Sequence, residues 1–328
     1  MIALDALNAL PDAGFVATLA GIFEHSPWIP ERARSRRPFA ARLALLDAMR
    51  DVVAVATPEE QLGLIRAHPK LGARGRARAE LTAASAREQT RAGLAALSDE
   101  EFAQLQKLNA AYLEKFDFPF ILAVKGHDPA SILANIGRRL ASAPPEEQRT
   151  ALHQIGRIAG FRLADLVVSD PRAELSAMRE RLLALPVSPT PREESRADRV
   201  REWLLAAGFD VAAGAAGEIH ARRQLGEPSS GADGAPVIRP PMDGVPAATR
   251  CEAPLGYLAG IAVLQALRPS GGAIARGELV IMVSAADLAD AALAAADTDI
   301  ARGLRQVEHV LRTPAGPAGV TIAHQLQP

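Results

Sequence analysis

Through residues 3–168 apolar side chains recur at three- and four-residue spacing, the period of helices that each bury one face. The run Leu43, Leu45, Leu46, Met49, Val52 and Val53 shows it clearly. The pattern predicts helices over 3–10, 12–24, 38–55, 58–67, 82–96, 98–116, 129–142 and 145–168. Start signals agree with it. Thr57 precedes Pro58, with Glu59 and Glu60 in the first turn, and Ser98 precedes Asp99, Glu100 and Glu101, close to a capping box. Pro144 and Pro145 open a helix whose first turn carries Glu146 and Glu147. No strand alternation survives in this half.

Residues 171–185 read as one more amphipathic helix, followed by P-V-S-P-T-P from Pro186 to Pro191, a stiff extended connector. Beyond it the period changes. Glu193 to Ala207 is predicted helical, stopping at Gly208. Strands are predicted over 217–223, 235–239 and 277–284, with a helix over 255–267 between the last two. A helix near 297–312 leads into a short strand, G-V-T-I-A-H. That order is α/β. The predicted fold class is an all-α N-terminal helical domain over 1–170 plus a smaller α/β C-terminal domain over 193–328, joined by a helix and Pro-rich linker over 171–192.

Composition narrows the function classes. Over 328 residues the formal net charge is −1, which argues against a nucleic-acid or membrane-surface partner acting through bulk electrostatics. One cysteine, Cys251, rules out an internal disulfide framework and fits a reducing compartment. The N-terminus lacks the basic region of a secretory signal, and no stretch is long and apolar enough to span a bilayer. A cytoplasmic protein is expected. Aromatics are 4% of the chain and most Phe residues precede residue 165, a shift that supports the boundary.

The stretch from His68 to Gly126 concentrates the candidate chemistry. It holds R-A-H-P-K-L, L-T-A-A-S-A-R-E-Q and F-D-F-P-F-I-L-A-V-K-G, and so an imidazole (His68), a carboxylate (Glu88), an amide (Gln89) and an apolar run broken by Pro119. Pro69 restricts His68 away from helical backbone, so His68 should end a helix with its ring directed into a pocket. Imidazole titrates near working pH and suits proton transfer. Ser85 sits one turn before Gln89 on the same face. His25 and Trp28 read as structural, His127, His153, His220, His309 and His324 as surface groups. The Phe118 and Phe120 side chains read as core, leaving any functional role to the backbone. No H-x-x-x-H pair or Gly-rich phosphate loop occurs in this half, so neither metal nor cofactor is expected.

These motifs, with F-E-H-S-P-W (Phe23 to Trp28) and A-L-H-Q-I-G-R-I-A, resemble the 2-oxo-4-hydroxy-4-carboxy-5-ureidoimidazoline (OHCU) decarboxylases, from about Gly21 to Val167. The resemblance implies cofactor-free loss of CO₂ from a ureidoimidazoline and stereospecific protonation to (S)-allantoin in urate degradation. It implies His68 as the acid or base, with Glu88 beside it. Pro69, Ser85, Gln89 and the segment Phe120, Ile121, Leu122, Ala123 and Val124 would bind substrate, the last through backbone N–H groups. Glu88 could contact the substrate or hold the His68 imidazolium. Lys125 stands where the family usually has Arg, and Asp117 where it usually has Gly; the first keeps a charge but loses the bidentate fork.

Residues 195–290 resemble metal-dependent amidohydrolases of the allantoate amidohydrolase and N-carbamoyl amino-acid hydrolase group, in V-R-E-W-L-L-A-A-G-F-D-V, P-V-I-R-P-P-M-D-G-V-P and R-C-E-A-P-L-G-Y. Pro241 stands where that family has a His ligand, Glu252 where it has a bridging Asp, and Ala286 with Asp287 where it has an acidic pair. Too few ligands remain for a binuclear centre. The resemblance implies a non-catalytic extension, whose tail resembles a lid element that makes subunit contacts and so suggests a homodimer. A scaffold with both halves inactive and a bifunctional enzyme with residual hydrolase activity are the alternatives.

Overall fold

The computed structural model describes residues 1–73, 81–185, 195–213, 218–225, 237–238 and 277–283. The helices are α1 (Leu4–Asn8), α2 (Asp12–Leu19), α3 (Trp28–Ala33), α4 (Arg42–Ala54), α5 (Pro58–Arg66), α6 (Ala83–Arg91), α7 (Asp99–Phe116), α8 (Pro129–Arg139), α9 (Pro144–Leu166), α10 (Pro171–Leu183) and α11 (Arg196–Ala206). The N-terminal region is mostly helical. By its contacts the chain forms two compact units.

One unit comprises Asp5–Phe39 and Leu45–Leu166. Its core is Phe15, Leu19, Ile29, Leu45, Met49, Leu64, Ile65, Tyr112 and Phe120, each essentially inaccessible to water. α7 packs against α8 and α9, and α5 against α9. The helix starts are held as the sequence predicts. Thr57 and Glu60 form a reciprocal capping box on α5, and Ser98 and Glu101 do so on α7.

The ends differ from the periodic pattern where backbone chemistry intervenes. The helix predicted over 82–96 stops at Arg91, because Gly93 takes φ +75° and its N–H turns back onto the Thr90 carbonyl. The helix predicted over 12–24 stops at Leu19, and Trp28–Ala33 forms a short helix that the apolar period alone did not indicate. Trp28 is half-buried beneath the Arg32 guanidinium, 4.6 Å from its ring.

The second unit comprises Met1–Leu4, Ala40–Ala44 and the chain from Val167 onward. Ile2–Ala3 (β1) pairs in parallel with Val167–Val168 (β2). Two residues are too few to show alternation, so this strand pair was invisible in the sequence pattern. Arg42 donates to Glu174 at 2.7 Å, and the Ser169 hydroxyl donates to the other oxygen of the same buried carboxylate.

Further along, α11 is capped by Ser195 and ends before Gly208, at φ +88°. Asp210–Ala213 (β3), Ile219–Leu225 (β4), Val237–Ile238 (β5) and Gly277–Val283 (β6) form a sheet in the order β3-β4-β6-β5. β4 is antiparallel to both β3 and β6, whereas β5 runs parallel to β6. The helix predicted at 255–267 lies outside the described residues, as do the Pro186–Pro191 linker, the 297–312 helix and the final strand. Positions 241, 252, 286 and 287 also lie outside them. Among the described residues no helix is long and apolar enough to cross a membrane.

Candidate active site

α5 delivers His68. The helix ends at Arg66, Ala67 caps it, and the His68 N–H closes a last turn onto the Ile65 carbonyl at 3.2 Å. His68 is 7% exposed, and its Nδ1 lies 2.9 Å from the Leu64 carbonyl. A carbonyl oxygen can only accept, so Nδ1 carries the proton and Nε2 the lone pair in the neutral ring. Burial is the largest influence on this group and lowers its pKa from the usual 6.5 to about 4, although the Leu64 carbonyl and the Glu24 charge pull the other way. The resting imidazole is therefore neutral, with its basic nitrogen available.

The segment after His68 is clamped from α6 and α7. Gln89 accepts from the Gly72 N–H at 3.0 Å and donates to the Lys70 carbonyl at 3.2 Å. Asn109 donates to the Leu71 carbonyl at 3.0 Å, and Gln106 to that of Gly72 at 3.3 Å. Gly72 has φ +75°, and a Cβ there would lie 2.4 Å from a Leu105 methyl. Any larger residue would have to displace Leu105 and carry the strain of the positive φ.

α6 begins at Thr82, whose hydroxyl accepts from the Ser85 N–H. Its buried face carries Ser85 and Gln89. Glu88 does not hold His68: both its oxygens are taken by Arg162 of α9, from Nε at 2.8 Å and a terminal nitrogen at 2.9 Å. Arg162 also donates to Glu24 at 2.7 Å, to Ser85 Oγ at 3.1 Å and to the Gly21 carbonyl at 3.3 Å. All five guanidinium N–H groups are thereby used. Burial alone would raise the Glu24 pKa. The Thr82 hydroxyl and the Arg162 guanidinium outweigh it and hold that carboxyl below the ordinary range. Of the carboxylates acting on the imidazole, Glu24 has the largest effect. A cavity of about 410 Å³, lined by Glu88 and Arg162 together with Thr18, Gly21, Arg87 and Arg91, opens onto this pair but does not include His68.

The remaining candidate residues lie in the segment after α7. Asp117 caps that helix in the left-handed region, at φ 61°, where glycine is easiest to accommodate. Arg66 donates to its carbonyl at 3.0 Å and pairs with its carboxylate, which ties the end of α5 to the start of this segment. Phe118 and Phe120 pack on Tyr112, as expected of core side chains. Residues Phe120 to Val124 are all buried. The Ala123 N–H donates to Gln154 Oε1 at 3.0 Å. The N–H groups of Ile121, Leu122 and Val124 have no acceptor among the described residues. A buried peptide N–H without a protein partner is rare. Lys125 lies 5.2 Å from the Phe161 ring.

Sequence reasoning passed over Glu24 and Arg162. Arg162 does leave a signal, because Ala151, Ile155 and Ala159 form an apolar stripe on α9 that continues onto it. Glu24 lies in F-E-H-S-P-W, beside His25, which is exposed at φ 49°. Among the described residues no group of three or more His, Cys, Asp or Glu could hold a metal ion.

Residues 8–164 match the family profile described as OHCU decarboxylase. The 2-oxo-4-hydroxy-4-carboxy-5-ureidoimidazoline decarboxylase of Haloferax volcanii is 44% identical over 169 residues, covering 52% of this chain and 98% of that protein. The uric acid degradation bifunctional protein of Bacillus subtilis is 39% identical over 175 residues, 53% of this chain and 35% of that one. Among solved structures, an (S)-allantoin synthase aligns with a TM-score of 0.41 and 28% identity over 51% of this chain and 54% of that one.

Proposed function

The chain belongs to the OHCU decarboxylase family, and on that premise we propose that His68 is its proton-transfer group. The protein is a carbon–carbon lyase that decarboxylates 2-oxo-4-hydroxy-4-carboxy-5-ureidoimidazoline to allantoin in urate degradation. The observation that carries the role of His68 is its buried neutral ring, with Nδ1 committed to Leu64 and Nε2 left basic.

In this reading Nε2 accepts the proton of the substrate hydroxyl as the C–CO₂ bond breaks. The electron pair passes through the imine onto its ring nitrogen, where the adjacent ring carbonyl delocalises it and a proton from solvent neutralises it. The imidazolium so formed returns the proton to one face of the ring carbon that bears the ureido group, giving the (S) product. Glu24 stabilises the transient cation, since its field already favours the charged ring. Proton transfer by a positioned imidazole contributes about 10²- to 10⁴-fold. Glu88, Ser85 and Gln89 form one wall, with Gln89 and Pro69 fixing the turn that presents His68. The N–H groups of Ile121, Leu122 and Val124 take the substrate carbonyls, while that of Ala123 serves to fix the segment.

The second half is read as a non-catalytic α/β extension related to amidohydrolases, within a cytoplasmic and homodimeric protein. Light scattering would test the assembly, and metal analysis the loss of the binuclear centre. The decisive experiment couples urate oxidase and hydroxyisourate hydrolase to this protein and follows (S)-allantoin by circular dichroism, beside a His68→Ala variant. Fast optical activity that vanishes in the variant is expected. Racemic product at the spontaneous rate from folded protein would overturn the reading.

A further inference from the structure

A second buried charge cluster lies behind the segment 118–124. Arg139 of α8 is 6% exposed and donates to the Ile121 carbonyl at 2.7 Å. Its Nε donates to Glu147 Oε1 at 2.8 Å, and a terminal nitrogen donates to the same oxygen. The Tyr112 hydroxyl donates there as well. Glu147 is fully buried, and the guanidinium sits 4.6 Å from the centre of the Phe120 ring.

The peptide geometry gives this cluster a consequence at the site. In a trans peptide the C=O and N–H point in opposite directions. Arg139 holds the Ile121 carbonyl towards α8, so the N–H of the same peptide, that of Leu122, points away from α8. On the next peptide Gln154 holds the Ala123 N–H from α9. Leu122 thus lies between two peptide planes, each gripped by a side chain, and its own N–H has no acceptor among the described residues. A charged donor on the carbonyl also polarises the peptide and strengthens its N–H as a donor.

We propose that Arg139 is a positioning residue for the decarboxylation: through the Ile121–Leu122 peptide it aims the Leu122 N–H at a carbonyl of the substrate. Glu147 and Tyr112 fix the guanidinium in that task. An apolar trio of similar volume would fill the same space without desolvating two charges, so packing alone does not account for the cluster. Three donors converge on one Glu147 oxygen, while Oε2 has no hydrogen-bond partner among the described residues. That arrangement orients one guanidinium edge at the expense of full satisfaction of the carboxylate. The inference rests on the decarboxylase reading above.

The test uses the full chain, with ¹⁵N-leucine labelling and (S)-allantoin as the probe. In the wild-type protein the Leu122 amide proton should move downfield as the product saturates the site. Arg139→Lys should abolish that movement and raise KM about tenfold, while the lower limb of the pH profile set by His68 stays in place. Tyr112→Phe, a milder change that keeps the packing, should raise KM a few-fold in the same direction. A Leu122 amide that ignores the product in active wild-type protein would overturn the inference and leave the decarboxylase intact. So would a wild-type KM in folded Arg139→Lys. Wild-type protein that forms no optically active allantoin would overturn both.

Discussion

The Nδ1–H of His68 donates to the carbonyl of Leu64 at 2.9 Å, one turn back along the same stretch of chain. That bond settles which nitrogen is basic and leaves a neutral ring whose pKa burial brings down to about 4. If His68 acts first as a base, kcat/KM should stay level from neutral pH down to about 5 and fall only near 4. An ordinary histidine would lose half its activity near 6.5. A pH profile of initial rates, with His68→Asn as the control, reads the difference directly.

The same group makes the fold sensitive to acid. Between pH 6.5 and about 4 the unfolded chain binds a proton at His68 that the folded protein refuses, so stability falls as pH drops through that window and levels off below it. The interval corresponds to a loss on the order of 3 kcal/mol. Glu24, held below its ordinary 4.5, acts in the same sense: its contribution is present above that value and is lost as pH falls through the folded one. Urea midpoints at pH 7, 5 and 4 should decline in the wild type and decline less in His68→Gln.

Among the described residues Arg162 bridges two carboxylates, Glu24 and Glu88, with side chains 8% exposed for Arg162 and 1% for Glu24. Arg162→Met should cost about 3–5 kcal/mol, since it strands a buried negative charge. Arg162→Lys keeps the charge but cannot reproduce the fork on Glu88, and should recover part of the stability while kcat/KM stays at least tenfold down. Denaturant titrations beside steady-state rates separate the two effects.

Gly72→Ala should impair both folding and activity. The added methyl meets a Leu105 methyl at 2.4 Å, and the positive φ costs a further ~1 kcal/mol. A melting temperature unchanged from wild type would show that the turn after His68 is free to adjust.

Asp117→Gly should do the opposite. It relieves a left-handed aspartate and keeps the Arg66 bond to the backbone carbonyl, at the loss of an exposed ion pair worth little. A gain of about 0.5–1 kcal/mol is expected by thermal unfolding.

Much of this was legible in the chain because the relevant physics is local. Thr57, Ser98 and Pro58 announce helix starts that depend on residues three apart, and α5 and α7 begin where those residues put them. His68, Ser85 and Gln89 stand in short motifs, and all three are buried in the helical unit. What stayed hidden is non-local. The choice of Arg162 over His68 as partner for Glu88 joins positions 74 residues apart in sequence, and no spacing rule encodes it. The same is true of Glu24. The premature end of α6 at Gly93 was a missed C-cap signal rather than a long-range effect. A two-residue strand such as β1 has no period to detect.

α9 carries Glu147, Gln154 and Arg162, which reach respectively the guanidinium behind Ile121, the Ala123 N–H and the Glu24–Glu88 pair. One rigid rod therefore acts as a ruler for the site. Gln154 and Arg162 are separated along its axis by about 12 Å at 1.5 Å per residue. Removing a single residue between them would shorten that span only slightly, but would swing one anchor round the helix by roughly 100° relative to the other. The site should then tolerate exchanges of side chain along α9 far better than any change in its length.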